Sequence, residues 1–474
     1  MNTMTALDAS FLHIEDAVSH MHIGSVLMFE GPAPAHRDVL ASIAGKLELV
    51  PRYRQRVRTL PLSFGRPSWV DDPHFKLDYH VRRTALPAPG GDQELRNLVG
   101  RVMAQKLDRA KPLWEMWVVE GVGEGRWAMI SKVHHVMVDG VSATDLMSVL
   151  LDADRDASPA GETPWAPARA PSTAEAMASA LVAQAVEPLK GLRDLAGTIR
   201  DPGALAARAA TIASGLRSVV GVLRQADDST LNGPIGPHRR WAWAGGRMAD
   251  VKAIRDAHGG SVNDVVLAVI ARGFRDLLLS RGESVDGRVV HTLVPVSVRT
   301  PGERGAYDNK VSSMFAALPV GVEDPVERVS AVRSQMDVLK RSGQAVAGAT
   351  LTSLSGFAPP MLFALGARAG ARAPRSPINT VTTNVPGPQH PMYFAGRRML
   401  NAYPFVPLVG QVRIGVAIFS YDGNLNFGVT GDYDTTPDIE ILTKGIEAGI
   451  RELVPPAPSV KRRKAAPRRA DAKA

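Results

Sequence analysis

Two adjacent histidines followed by an acid and a glycine form the densest chemistry in this sequence: His134-His135-Val136-Met137-Val138-Asp139-Gly140. A neutral imidazole accepts protons near neutral pH, because its unperturbed pKa is about 6.5. An alcohol is a poor nucleophile at that pH. It becomes a competent one when an imidazole takes its proton as it attacks an activated acyl carbon. A thioester is already activated, so the reaction needs no acyl-enzyme. The sequence has no Gly-x-Ser-x-Gly elbow that would supply a serine nucleophile. The same residues also admit a second reading, as two core histidines satisfied by backbone groups. A zinc site is disfavoured, since only one carboxylate is near and the chain has no cysteine. His20 and His22 have ligand-like spacing, but a buried strand face explains them better.

The pair is expected where a strand gives way to a loop and helix, a junction that presents side chains at a cleft. Trp127 to Val133 reads as that strand, and the helix is expected to start near Ser142, with Asp145 three residues on. Leu113 to Glu120 reads as a partner strand. The glycine run Gly121-Val122-Gly123-Glu124-Gly125-Arg126 joins the two and reads as a hairpin turn rather than a nucleotide loop, because a strand follows it. Ile23 to Glu30 reads as a further strand. Val262 to Leu279 reads as a helix, and Val289 to Val298 and Gln411 to Ser420 as strands. Between the two α/β stretches lies a Pro/Ala-rich linker, Pro159 to Pro171, then two helical stretches. In the second, Leu205, Ala209, Ile212, Leu216, Val219 and Leu223 mark one apolar face, which either packs on the body or meets lipid.

The chain has 474 residues, 45% hydrophobic and 22% charged, which suits two soluble domains. Absence of cysteine excludes disulfides and thiolate chemistry and fits a reducing cytoplasm. Met1 to His20 has neither a basic start nor a long apolar run, so no signal peptide is expected, and no apolar run is long enough to span a bilayer. Membrane contact is therefore expected to be peripheral. Of the formal net charge of +9, the last twenty residues carry +6, from Lys461, Arg462, Arg463, Lys464, Arg468, Arg469 and Lys473 against Asp471. That tail reads as disordered, either solubilising or touching anionic lipid. Nucleic-acid binding is not expected, since no aromatic residue interleaves its charges.

The heptapeptide matches the His-His-x-x-x-Asp-Gly motif of the coenzyme-A-dependent acyltransferase superfamily. The chain further resembles the bacterial wax ester synthase/diacylglycerol acyltransferase family from about Met4 to Val454. Leu7-Asp8-Ala9-Ser10-Phe11-Leu12 looks like that family's opening, and Leu107-Asp108-Arg109 with Pro112-Leu113-Trp114-Glu115 resembles its Pro-Leu-Trp segment. Leu231-Asn232-Gly233-Pro234-Ile235-Gly236, Asn263-Asp264-Val265, Thr383-Asn384-Val385-Pro386-Gly387-Pro388 and Ser420-Tyr421-Asp422-Gly423 resemble later landmarks in order. Trp114 itself is expected in the core.

The resemblance implies an α/β fold of two similar chloramphenicol-acetyltransferase-like domains. Each would be a mixed β-sheet flanked by helices, with an active-site channel between them. It makes His135 the general base, His134 positional, and Asp139 structural, paired with Arg299 and followed by Gly140. Asn263 and Asn384 become candidate substrate-binding residues, although a helix cap and a turn explain them as well. No metal and no cofactor are implied, because acyl-CoA is a substrate. The expected partners are fatty acyl-CoA and a diacylglycerol or long-chain alcohol, met in the cytoplasm at the inner membrane face or lipid inclusions. The expected product is triacylglycerol. Alternatives are a wax ester synthase, a low-activity lipid-surface binding protein of the same fold, and an acyltransferase using carrier-bound substrates. Val136 stands where the family often has a small residue, which would narrow the channel beside the base. The expected divisions are 1–158, a linker 159–240, a second domain 241–454, and a basic tail 455–474.

Overall fold

The computed structural model describes residues 2–61, 65–138, 149–157, 161, 164–182, 229–297, 311–341 and 378–456. Within them the chain forms two six-stranded mixed sheets and one small three-stranded sheet, with helices packed on their faces. The strands are β1 (Asn2–Thr3), β2 (His22–Glu30), β3 (Gln55–Arg58), β4 (Ser68–Asp71), β5 (Val81–Ala85), β6 (Trp114–Glu120) and β7 (Arg126–His134). The second half adds β8 (Arg239–Arg247), β9 (Val290–Ser297), β10 (Val311–Leu318), β11 (Thr380–Pro386), β12 (Tyr393–Phe394), β13 (Arg397–Phe405), β14 (Ile414–Tyr421) and β15 (Asn424–Asp432). The helices used below are α1 (Ala6–Ile14), α2 (His36–Ala44), α3 (Leu77–His80), α4 (Asp92–Ala104), α5 (Met248–His258), α6 (Val262–Ser280), α7 (Pro325–Arg341) and α8 (Ile439–Leu453).

The first sheet has the order β12-β13-β2-β7-β6-β5, and the second β10-β9-β11-β14-β15-β8. The β6–β7 hairpin turns where expected, with left-handed backbone at Gly121, Gly123 and Gly125 that glycine adopts without a Cβ clash. On β7 the side chains alternate. Ala128 and Ile130 face a core built with α4 (Leu95, Val99, Val102), while Trp127, Met129 and Val133 face a second core with Phe29 and Trp114. Trp114 is fully buried, as expected, and its indole N–H donates to the Tyr53 carbonyl at 2.9 Å. In the second half α6 is buried along most of its length against α8 and the sheet. Its start is a reciprocal cap: the Asp264 amide donates to the Ser261 hydroxyl and the Ser261 amide to the Asp264 carboxylate.

Strand pairing departs from the expected domain boundaries. Residues 241–454 were expected to form one domain, yet β12 and β13 leave it and extend the first sheet, β13 lying antiparallel to β2. Unpaired, β2 would expose a row of backbone N–H and C=O groups, and the returning chain satisfies them. The cores mix accordingly. Phe419 and Tyr421 of β14 join the first half's core, and Trp241 of β8 packs with the α4 layer. The Tyr421 hydroxyl accepts from the Met392 amide and donates to the Met399 carbonyl, tying β14 to β13.

The linker also differs from a free spacer. Residues 164–171 have no regular structure, but Trp165 lies edge-on to Phe75 with the Arg54 guanidinium over its ring, and the Pro171 carbonyl accepts from Arg58. A helix follows at 173–182. The expected helix near Ser142, the amphipathic stretch Leu205 to Leu223 and the tail beyond residue 456 lie outside the described residues.

Candidate active site

The face of β7 that meets α4 is apolar until its last turn of side chains, where it becomes polar. Lys132 and His134 follow Ile130 on that face, and His22 lies directly across from His134 in the β2–β7 register. All three are buried. Lys132 donates from Nζ to the Val102 carbonyl at 2.9 Å and to the Gln105 carbonyl, so it closes the carboxyl end of α4. Burial pushes its pKa down to about 8. His22 donates from Nδ1 to the Met103 carbonyl (3.2 Å) and accepts at Nε2 from the Leu107 amide (3.4 Å). It is thus a backbone-satisfied strand histidine, as the spacing argument favoured. His20 precedes the strand and shares a hydrogen bond with the Ala17 carbonyl. Among the described residues no group of three or more His, Asp or Glu could hold a metal ion.

A carboxylate and an arginine complete this cluster. Glu15 follows the end of α1, and its side chain is 2% exposed. Its Oε2 accepts from Arg109 Nε at 2.9 Å, and Arg109 also donates to the Leu12 carbonyl. His134 Nε2 lies 3.7 Å from Glu15 Oε2, and His22 Nε2 3.9 Å from Oε1. Burial alone would raise the Glu15 carboxyl, but His134 and Arg109 together lower it to about 2. Burial lowers the His134 pKa, which the carboxylate only partly opposes.

β7 ends at His134, and a 3-10 turn, His135–Val138, carries the second histidine. The His135 amide donates to the Met21 carbonyl at 2.7 Å, and the His134 amide to the Leu113 carbonyl at 2.9 Å. The His135 ring stacks on Phe11 of α1, centroids 4.0 Å apart and planes at 28°. His135 stays partly exposed while both neighbours, His134 and Val136, are buried. Burial nonetheless lowers its pKa to about 4; a hydrogen bond with its own backbone opposes the shift, and His134 adds to it. The ring is therefore uncharged at neutral pH. The segment bearing Met21 reaches the second half as well, since the Val18 carbonyl accepts from Arg239 at the start of β8. Met21, whose carbonyl receives the His135 amide, thus lies three residues from a contact with the second half.

The other expected site residues divide. Asn263, in the first turn of α6, and Asn384, on β11, are brought together: Asn384 Nδ2 donates to Asn263 Oδ1 at 3.3 Å. Ser261 caps the helix with Asp264 as its reciprocal partner, so the cap is not Asn263. Asp139, Gly140 and Arg299 lie outside the described residues. A separate open cleft of about 350 Å³ is lined by Asn401, Tyr403, Asn424, Asn426 and Glu447, among others. Asn401 pairs with Met28, six residues along β2 from His22, so at about 3.3 Å per residue the cleft is roughly 20 Å from the histidines. Sequence reasoning missed Glu15 and the role of Arg109. Phe11 and Arg109 both fall in segments quoted for the family resemblance, which was the available signal.

Comparison with known proteins agrees with this architecture. Residues 4–266 match the family model of the wax ester synthase/diacylglycerol acyltransferase catalytic domain, and residues 307–454 that of its C-terminal domain. A Mycobacterium tuberculosis protein named as a diacylglycerol O-acyltransferase, tgs1, is 38% identical over 96% of both chains. A second from that organism, tgs2, is 32% identical over 96% of this chain and 99% of its own. Among solved structures, the wax ester synthase/diacylglycerol acyltransferase from Marinobacter aquaeolei VT8 superposes with a TM-score of 0.66 at 25% identity, over 95% of this chain and 98% of that one. The first condensation domain of the CDA synthetase shares the fold, with a TM-score of 0.57 at 16% identity over 97% of both chains. With its two mixed sheets and full-length likeness of this kind, the chain belongs to the wax ester synthase/diacylglycerol acyltransferase family and is an O-acyltransferase.

Proposed function

We propose that the chain transfers a fatty acyl group from its coenzyme A thioester to diacylglycerol, forming triacylglycerol, with His135 as general base. The observation that carries this reading is the His135 ring. It is uncharged at neutral pH, partly exposed, and stacked on Phe11 at the end of β7. Identity to proteins named as diacylglycerol O-acyltransferases along 96% of this chain supports the choice of acceptor.

In the proposed step the neutral ring carries its proton on Nδ1, so that Nε2 offers a lone pair. Nε2 takes the acceptor's hydroxyl proton as that oxygen attacks the thioester carbonyl carbon. The tetrahedral intermediate then expels the coenzyme A thiolate with the C–S electron pair, and the imidazolium returns the proton to sulfur. Ester and free coenzyme A leave, and the enzyme regains its starting state. Acyl-CoA is consumed as a substrate, and the step uses no separate cofactor. His134 serves position rather than proton transfer. Asp139, Gly140 and Arg299 belong to the proposal as the supports of the loop after the base, and Asn263 and Asn384 as a joined pair on the acceptor or donor path. Because diacylglycerol resides in membranes and lipid inclusions, contact with their surface would be peripheral. No helix among the described residues is long and apolar enough to cross a membrane.

The test is conversion of labelled palmitoyl-CoA and dioleoylglycerol by purified protein, read by thin-layer chromatography, beside His135→Ala. Wild type should form triacylglycerol, and the variant should lose about 10²- to 10⁴-fold in rate. Equal ester formation by both would remove His135 from the mechanism. The Marinobacter likeness favours a second acceptor class, so hexadecanol belongs in the same panel. Turnover of hexadecanol but not diacylglycerol would make the chain a wax ester synthase instead.

A further inference from the structure

We propose that Glu15 is a positioning residue for acyl transfer, acting on His135 through the ring of His134. The inference rests on the reading of His135 as the base. It begins with the proton on His134. The Val136 amide can only donate, and it lies 3.1 Å from His134 Nδ1, so Nδ1 carries a lone pair. A neutral ring must then hold its proton on Nε2. That nitrogen is buried, on a residue 1% exposed, and has no hydrogen-bond partner. Glu15 Oε2 stands 3.7 Å away.

His22 does not compete for the carboxylate with a proton of its own. Its Nε2 accepts from the Leu107 amide and its Nδ1 donates to the Met103 carbonyl, so the nitrogen facing Glu15 carries no hydrogen. Arg109 binds Oε2 from the other side and fixes the carboxylate's orientation. Glu15 thus has one imidazole N–H to stabilise, that of His134, and it favours the one tautomer that lets Nδ1 receive Val136.

The consequence reaches the base. Three successive amides around it are held: His134 by the Leu113 carbonyl, His135 by the Met21 carbonyl, and Val136 by the His134 ring. If the His134 proton moved to Nδ1, two N–H groups would face each other and the third restraint would fail. The peptide carrying His135 would then be pinned on one side only. An error of about 1 Å in a catalytic group can cost on the order of 100-fold in rate. A Glu15 that merely staples α1 to the loop after α4 through Arg109 would instead affect folding and leave turnover per folded molecule intact.

The experiment compares wild type, Glu15→Leu, Glu15→Gln and His135→Ala. It reads kcat and KM for palmitoyl-CoA, and ¹⁵N-histidine NMR with the His134 signal assigned by its loss in His134→Gln. In wild type His134 should carry its proton on Nε2. Glu15→Leu should mix the two tautomers and lower kcat about 10- to 100-fold with KM little changed. Glu15→Gln, whose amide oxygen can still accept from Nε2–H, should recover part of that loss. A wild-type His134 protonated on Nδ1, or a Glu15→Leu kcat equal to wild type, would overturn the proposal. Should Glu15→Leu fail to fold, the wild-type tautomer and the kcat of Glu15→Gln decide: an Nδ1 proton in wild type, or a Glu15→Gln kcat equal to wild type, sinks the idea. Full activity in His135→Ala would instead defeat the underlying reading of the base.

Discussion

Phe11 lies nearly flat on His135, with ring centroids 4.0 Å apart and planes inclined by 28°. The contact joins α1 to the turn after β7 and does two things. It limits the imidazole's rotation, and it keeps water from one ring face, which favours the uncharged form. Aromatic stacking of this kind contributes about 0.5–1.5 kcal/mol beyond burial. Phe11→Ala should therefore lower kcat by roughly 3- to 10-fold and move the acid limb of the pH profile upward, toward the ordinary histidine value of about 6.5. Steady-state kinetics across pH would check both. A Phe11→Ala limb that stays with wild type would mean that the stack does not set the ring's basicity.

The wild-type limb itself is the second expectation. With the His135 pKa lowered to about 4, the base form persists well below neutrality. kcat/KM should stay level from pH 8 to about 5 and fall by half only near 4, with Glu15 still ionised there. Stability follows the same direction. Unfolding frees a histidine with a pKa of about 6.5, so the unfolded state binds the extra proton first and folding stability is lost as pH falls from about 6.5 to 4. Glu15 adds a further loss below about 4.5, its unfolded value, that continues down to about 2. An acid limb at 6.5 in wild type would contradict the burial of His135.

Local patterns made much of this legible in the sequence, and non-local ones did not. β2, β6, β7, β9, β14 and α6 announce themselves within their own residues, through apolar runs and turn glycines, and each lies within a few residues of its expected place. The histidine pair was visible because its members are adjacent. Glu15 and Arg109 are 94 residues apart, and each alone looks like an ordinary surface charge. Asn263 and Asn384 were singled out separately, but 121 residues separate the two partners of their hydrogen bond. The return of β13 to β2 was invisible for the same reason: an edge strand's need for a partner is general, and nothing in β2 says which segment will come.

Lys132 is an example of a charge whose purpose appears only in three dimensions. Its ammonium is buried and donates to the Val102 and Gln105 carbonyls at the end of α4. Lys132→Met keeps the side-chain volume and leaves both carbonyls without that donor, so it should destabilise the protein by about 1–3 kcal/mol in urea melts near pH 7. The folded-state pKa of about 8 lies below the unfolded value near 10.5, so unfolding takes up a proton in that window. Wild-type stability should therefore rise relative to Lys132→Met as pH climbs from 8 toward 10.5. A constant difference across that range would mean that burial leaves the Lys132 ammonium unperturbed.

The strand that crosses between the halves offers the sharpest steric test. Gly428 of β15 packs against β13 so closely that a Cβ there would stand 1.7 Å from the Pro404 carbonyl oxygen. The obstacle is backbone, and Pro404 is itself paired to Ser25 in the first sheet, so it cannot swing aside as a side chain would. Gly428→Ala should force β13 and β15 apart and cost about 3 kcal/mol or more. Gly245→Ala is the matched control. It lies on β8, the strand paired with β15, and its added Cβ meets nothing within 4 Å, so its effect should stay within about 0.5 kcal/mol. Thermal and urea melts of both variants, beside their acyltransfer rates, would measure the contrast. Equal stability of the two would show that β13 and β15 do not meet at Gly428.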